Sequence, residues 1–319
     1  MSGASTNTGA VMFPGQGSQE KGMGKDIAEH YSEVMDLWKK GEQIAGAPLR
    51  EIYWEGDESA MTETSNQQPA LVITSLGLWR VLSSNIRPQY FSGHSIGEYT
   101  ALIASGVLDW EQALELVCLR GRLMSEAGRT ASGKMAAILK LSQETVQQIV
   151  DQASEETGET LLIANYNTPY QLVVSGAENA VEKAMALAKQ NKGKPVALPV
   201  SGAFHSPLMN EAAQELAGFM EKLHWKKPGI PVHLNVTARE ETNVDNLLAN
   251  MQKQMISPVY WTQLILDQWD KGARKWWEIG PKKVLTNLVK NILRDSEENW
   301  EVENVGSLED INKLGLETQ

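Results

Sequence analysis

A serine held between two glycines, with a strand before it and a helix after it, constrains this chain more than any other feature. Gly93-His94-Ser95-Ile96-Gly97 follows the strand-like Tyr90-Phe91 and opens an apolar run from Ile96 to Ser105 that Gly106 closes. A chain that reverses this sharply needs residues without a Cβ where strand and helix nearly touch. The same turn sets a hydroxyl at a sheet edge and points the free amides of a helix N-terminus at any negative charge forming there. A short Gly/Ser turn also arises without chemistry, so the rest of the chain must decide between a plain turn and a nucleophile.

The elements around this turn alternate. Ala10 to Phe13 reads as a short buried strand, followed by the loop Pro14-Gly15-Gln16-Gly17-Ser18-Gln19. Pro69 to Val81 reads as an apolar helix and Trp110 to Gly128 as a long amphipathic one. Beyond residue 201 come helices at 207–223, 246–256, 261–269 and 284–293, with strands at 232–236, 275–279 and 302–305. Strands alternating with helices predict a mostly parallel sheet covered on both faces.

Between these halves the order changes. Strand 135–140, helix 142–155, strands 161–165 and 171–175 around an Asn-Thr-Pro turn, helix 178–190 and strand 195–200 make the β-α-β-β-α-β order of a ferredoxin-like unit. The expected organisation is a discontinuous core (1–132 and 202–319) with a subdomain (133–201) inserted in it.

Composition narrows the function classes. The chain has 319 residues and a net charge of −11, without the basic excess that nucleic-acid binding needs. Its single cysteine, Cys118, excludes an intrachain disulfide and a cysteine metal cluster. Residues 1–9 read as a disordered or tag-like lead without the order of a signal peptide, and no apolar run approaches a membrane span. The expectation is a cytoplasmic monomer with no nucleic-acid or membrane partner.

A catalytic serine needs a base, and there are five histidines. His30 and His224 fall near helix ends and His233 within a strand, which are surface and structural placements. His94 adjoins Ser95, and neighbours on a tight turn point apart, which favours a packing role for it. His205 lies in Gly202-Ala203-Phe204-His205-Ser206-Pro207, a loop running into a helix, where α/β folds hold reactive groups.

Arg120 is the second anomaly. It falls among Leu116, Leu123 and Met124 in the apolar stripe of its helix, whereas Arg122 has Glu126 four residues on. A stripe arginine must find an anion: a structural ion pair on one reading, a substrate carboxylate on the other. The Gly15-Gln16-Gly17 loop lacks the Lys-Ser/Thr of a phosphate loop, but could supply a second oxyanion amide beside that of Ile96.

Taken in order, these segments resemble one family: the malonyl-CoA:acyl carrier protein transacylases, the acyltransferases of fatty acid and polyketide synthesis. The resembling motifs are Phe13 to Gln19, Gln67-Gln68-Pro69-Ala70-Leu71, Gly93 to Glu98, Arg120-Gly121, Ala164 to Pro169, Gly202 to Ser206, Gln254 with Pro258-Val259, and Gly280 to Leu285. Lys282-Lys283 departs from the glycine-containing turn more usual there.

The resemblance implies an α/β-hydrolase-like core carrying the ferredoxin-like insertion. It implies that Ser95 is acylated, with His205 as its base and the main-chain carbonyl of Gln254 orienting that base. It also implies an oxyanion hole from the amides of Gln16 and Ile96, and an Arg120 that holds the malonyl carboxylate. Gln68 would lie near the acyl group, and Asn165 and Asn167 near the acyl group or pantetheine. The substrates would be malonyl-CoA and the phosphopantetheine thiol of acyl carrier protein, with no metal or redox cofactor. A serine esterase or thioesterase built on the same elbow is the alternative; it would use water as acceptor and an acidic partner for the histidine.

Overall fold

A computed structural model describes residues 8–57, 60–130, 133–200 and 202–315. Most of the polar lead (1–7) and Ser201 lie outside the described residues.

The first apolar run sits at the sheet centre. β1 (Thr8–Phe13) is buried over five of its six residues. It pairs in parallel with β2 (Arg87–Gly93) on one side and with the late strand Lys275–Ile279 on the other. Strand alternation divides its side chains between two cores. Val11 and Phe13 point into the larger one, with the helices of the first half of the chain. Ala10 and Met12 point into the other, with Trp261, Leu264, Leu285 and Val289.

The helices between β1 and β2 are α1 (Lys25–His30), α2 (Ser32–Ala45) and α3 (Thr64–Leu82). α3 extends the expected 69–81 run by a turn and a half at its start and is buried along nearly its whole length. α4 (Gly97–Ala104) follows the elbow, and α5 (Trp110–Thr130) packs on α3. A Cβ on Gly121 would stand 3.0 Å from the Ser65 Cα, so this glycine lets α5 approach the start of α3 beside Arg120.

The chain then builds a second sheet. β3 (Gly133–Leu139), α6 (Gln143–Thr157), β4 (Leu161–Thr168), β5 (Gln171–Ala177), α7 (Glu178–Gln190) and β6 (Lys194–Ala197) form an antiparallel sheet of order β4-β5-β3-β6. Its two faces have different roles. Ala136, Ile138, Ile163 and Val174 pack under α6 and α7 in a core of their own. Met135, Ala137, Ala164 and Val173 face the larger core.

The first fold resumes with α8 (Asn210–Met220), β7 (Val232–His233), β8 (Glu240–Glu241), α9 (Val244–Lys253), α10 (Trp261–Asp270), β9 (Lys275–Ile279), α11 (Val284–Ile292), β10 (Glu301–Val305) and α12 (Leu308–Lys313). The six-stranded sheet runs β10-β9-β1-β2-β7-β8, parallel except for β8 against β7. The architecture is therefore α/β, with a mostly parallel sheet and a separate antiparallel one.

Several expected boundaries shift. The strand at 232–236 ends at His233, because the Asn235 amide leaves the ladder and donates to the Glu98 carboxylate (2.8 Å). The helices at 207–223 and 246–256 each include a 3₁₀ turn, Pro207–Met209 before α8 and Gln254–Ile256 after α9. Asn165 and Asn167 lie inside β4 and not in a turn: the strand continues to Thr168, Asn165 pairs with Val173, and the register shifts skip Ala164 and Asn167.

A Cβ on Gly97 would fall 2.1 Å from the Phe13 carbonyl oxygen, whereas one on Gly218, exposed in α8, would meet nothing within 4 Å. Gly97→Ala should lower stability by about 3 kcal/mol or more, since backbone blocks the added methyl and cannot move aside. Gly218→Ala should raise stability by about 0.5–1 kcal/mol through helix propensity. Urea unfolding of both variants checks the pair; a Gly97→Ala protein as stable as wild type contradicts the close approach.

Candidate active site

The elbow is built from backbone contacts. A Cβ on Gly93 would lie 2.0 Å from the Gly97 carbonyl carbon. Between these glycines Ser95 takes φ 51°, a left-handed conformation that costs an L-residue on the order of 1–3 kcal/mol and needs outside support. The support is polar. Ser95 N donates to Asn235 Oδ1 (2.7 Å), and Asn235 Nδ2 donates to the Gly93 carbonyl (2.7 Å). The Ser95 carbonyl accepts from Gln254 Nε2 (2.8 Å) and Glu98 N (3.1 Å).

The structure brings His205 to this serine. His205 Nε2 lies 2.8 Å from Ser95 Oγ. Nδ1 faces two carbonyls, Gln254 O at 3.1 Å and Ser257 O at 3.0 Å. Carbonyls only accept, so the ring carries its proton on Nδ1 and offers the Nε2 lone pair to the serine hydroxyl. Burial, with Arg120 and His94 alongside, pushes His205 down to about 3. The ring is therefore a neutral imidazole across the physiological range, and it too is held in a left-handed conformation (φ 58°).

Arg120 is the third member. Its side chain is fully buried, with the guanidinium carbon 5.4 Å from the centre of the Tyr99 ring. Nη2 donates to Ser95 Oγ (3.1 Å) and to Gln254 Oε1 (3.1 Å). Nε and Nη1 have no hydrogen-bond partner among the described residues. Burial works against its charge, with Tyr99 and Glu98 favouring it. A desolvated guanidinium with donors free beside the serine oxygen has the chemistry to bind a carboxylate.

The remaining expected residues surround this trio. The Pro14–Gly17 loop lies against the elbow: His94 N donates to Phe13 O (3.0 Å), and a Cβ on Gly15 would stand 2.5 Å from His94 O. Ile96 is the buried residue at the N-cap of α4. The Gln16 side chain donates to Gln67 Oε1 (2.6 Å) and accepts from Gln68 Nε2 (3.2 Å). Gln68 thus reaches the loop side chain and the Met124 sulfur. Asn167 Oδ1 meets His94 Nε2 at 2.8 Å, so that asparagine and the elbow histidine engage each other. Asn165 is buried in β4, opposite Val259.

Two residues that sequence reasoning gave no role belong to this site. Asn235 clamps the elbow at Gly93 and Ser95, and Glu98 holds both Asn235 N and Gln254 Nε2. The one signal in the sequence is an asparagine in an otherwise apolar strand run, Val232 to Val236, where asparagine is disfavoured. His233, read as structural, pairs with Asp267 away from the elbow (3.0 Å). Among the described residues no group of three or more His, Cys, Asp or Glu could hold a metal ion, and no helix is long and apolar enough to cross a membrane.

Residues 11–315 match the acyl transferase domain family. The chain is similar to the malonyl CoA-acyl carrier protein transacylase of Bacillus subtilis, 39% identical over 89% of this chain and 90% of the relative. The Escherichia coli enzyme of the same description is 37% identical, over 89% and 92%. Among solved structures, an acyl carrier protein S-malonyltransferase from Vibrio cholerae superposes with a TM-score of 0.89 at 36% identity, covering 97% of this chain and 100% of that one. A malonyl-transacylase in complex with a type II PKS acyl-carrier protein superposes at 0.90 with 33% identity, covering 95% and 97%.

The desolvated His205 generates a spectroscopic prediction. His205, pushed down to about 3, and His233, pushed down to about 4, should both keep neutral-imidazole ring signals from pH 8 to pH 5 in an NMR titration. A depressed histidine gains its proton only below its own folded-state pKa, so protonation of His205 belongs near pH 3. A His205 midpoint at an ordinary histidine value would show that water reaches the ring.

Proposed function

The chain belongs to the acyl transferase domain family, and on that footing we propose that it transfers a malonyl group from malonyl-CoA to the phosphopantetheine thiol of acyl carrier protein, as an [acyl-carrier-protein] S-malonyltransferase. The observation that carries the specificity is Arg120, buried with Nε and Nη1 unpartnered among the described residues while Nη2 donates to the Ser95 hydroxyl oxygen. A simple ester has no use for a guanidinium in that place; a β-carboxylated acyl group has.

Each atom has a task in this reading. Ser95 Oγ attacks the malonyl thioester carbon as its proton passes to His205 Nε2. Negative charge develops on the thioester oxygen, between the amides of Gln16 and Ile96. Collapse breaks the C–S bond, and the coenzyme A thiolate leaves with the proton from His205. The malonyl ester on Ser95 then meets the carrier thiol, which gives its proton to His205, attacks the ester carbon and returns Ser95 to its hydroxyl form. This is ping-pong acyl transfer through a serine nucleophile, with no cofactor beyond the two thiol carriers.

The carbonyls of Gln254 and Ser257 support the assignment of His205 as base without a carboxylate behind it. They fix the tautomer without adding a charge to a site that must accept an anionic acyl group. The catalytic cleft falls between a core of residues 1–132 and 202–319 and an inserted unit, 133–201, whose apolar sheet face turns toward that core. Fatty acid and polyketide synthesis are the two settings that use this reaction, and the solved carrier complex of a similar enzyme comes from the second.

Malonyl-CoA should add one malonyl mass to the peptide holding Ser95, and Ser95→Ala should lose both adduct and turnover in intact-mass and transfer assays. An adduct persisting in Ser95→Ala would remove the nucleophile assignment. Arg120→Ala should lower malonyl transfer about 30- to several-thousand-fold, the range for losing a charge-assisted contact in a desolvated site, and leave acetyl transfer little changed. Arg120→Lys should restore part of the loss, since a point charge cannot reproduce the guanidinium fork. Comparable falls for malonyl-CoA and acetyl-CoA in kcat/KM would mean that the arginine is structural.

A further inference from the structure

Glu98 is a buried titratable group that the reaction above does not use. Its side chain is fully enclosed one turn below the nucleophile. Oε1 accepts from Asn235 N (2.8 Å) and Oε2 from Gln254 Nε2 (2.8 Å). The Gln254 amide is saturated by this arrangement. Its second N–H reaches the Ser95 carbonyl (2.8 Å), and its oxygen faces Arg120 Nη2 (3.1 Å).

We propose that Glu98 is a positioning residue for the acyl carboxylate: through the Gln254 side chain it aims Arg120 while leaving the rest of the guanidinium open. The inference rests on the reading of Arg120 as the carboxylate seat. The physical argument is one of polarity. An ionised carboxylate only accepts hydrogen bonds, so it draws the NH₂ end of the Gln254 amide toward α4. The amide oxygen must then point at Arg120. A flipped amide would face the guanidinium with NH₂ and the carboxylate with C=O, two mismatches in a site sealed from water.

The spacing matters as much as the polarity. A carboxylate in direct contact with Arg120 would fill the fork that the substrate needs. One amide further back, Glu98 supplies the counter-charge that a buried guanidinium requires and blocks no donor. Burial drives the Glu98 carboxyl up to about 7, and the Gln254 side chain, the Asn235 amide and Arg120 each favour the anion against it. The groups that Glu98 orients thus offset part of what burial costs its charge, and both carboxyl oxygens face N–H donors.

The test is kcat/KM for malonyl-CoA and acetyl-CoA in wild type, Glu98→Gln, Gln254→Met and Arg120→Ala. A glutamine at 98 keeps the shape but can accept from only one of its two donors at full strength. The malonyl-to-acetyl ratio should fall about 3- to 100-fold in Glu98→Gln, the range over which members of one hydrogen-bonded network couple. Gln254→Met keeps the main-chain carbonyl on His205 and removes the relay, so it should show the same selective loss. The double variant should be no worse than the poorer single one. A fall shared equally by both substrates would mean that Glu98 only holds the elbow, and an unchanged ratio would mean that it aims nothing; either overturns the proposal. Should Glu98→Gln fail to fold, Gln254→Met decides by the same ratio. A malonyl-specific loss in Arg120→Ala without one in Glu98→Gln defeats the relay alone, whereas an equal loss in Arg120→Ala defeats the seat itself.

Discussion

The site depends on a place where three pieces of backbone meet with no room for a side chain. The end of β1, the end of β2 and the first turn of α4 converge at Gly93 and Gly97, where an added Cβ would overlap Gly97 and Phe13. This contact bends the chain into the conformation that projects Ser95. It also lays the Pro14–Gly17 loop against the elbow. The left-handed conformation at Ser95 follows from the missing methyl groups.

Around that contact the chemistry is arranged by what water cannot reach. Ser95, His205 and Arg120 are joined by hydrogen bonds of 2.8 and 3.1 Å, and Arg120 and His205 are buried. Desolvation keeps the imidazole neutral and leaves the guanidinium without solvent to satisfy it. On the proposed reading, the first effect holds His205 in the form that accepts the serine proton. On the same reading, the second makes an anionic acyl group a better occupant than a neutral one. The two effects share one cause, so opening the cleft to water would weaken both.

Much of this was legible in the sequence, and the illegible part has a common physical character. Ser95 could be read because an elbow needs glycines at fixed offsets. Arg120 could be read because a charge in an apolar stripe breaks a 3.6-residue period. The β-α-β-β-α-β order predicted the second sheet. What escaped was set by contacts far apart in the chain. Asn235 reaches Ser95 and Glu98 across about 140 positions, and the Glu98–Gln254 bond spans 156, so no local pattern marks either. Asn167 has the propensity of a turn residue, and bulged pairing of β4 with β5 overrides it. α2 went unread: Gly41 sits in its interior, and only the packing shows why, since a Cβ there would stand 2.3 Å from Ile73 Cδ1.

The second sheet is also fastened at a telling point. Tyr166 N donates to Val259 O (2.9 Å), Val259 N donates to Ala164 O (2.8 Å), and the rings of Tyr166 and Tyr260 stack with centres 5.0 Å apart. Residues 254 and 257, whose carbonyls hold His205, lie just upstream on the same strap. The second sheet and His205 therefore have a common mooring. A chimera that exchanged 133–201 alone between relatives would splice a foreign β4 onto this strap and displace the histidine with it. Modular recombination in this fold has its natural seam not at the ends of the insertion but around the insertion together with residues 254–262.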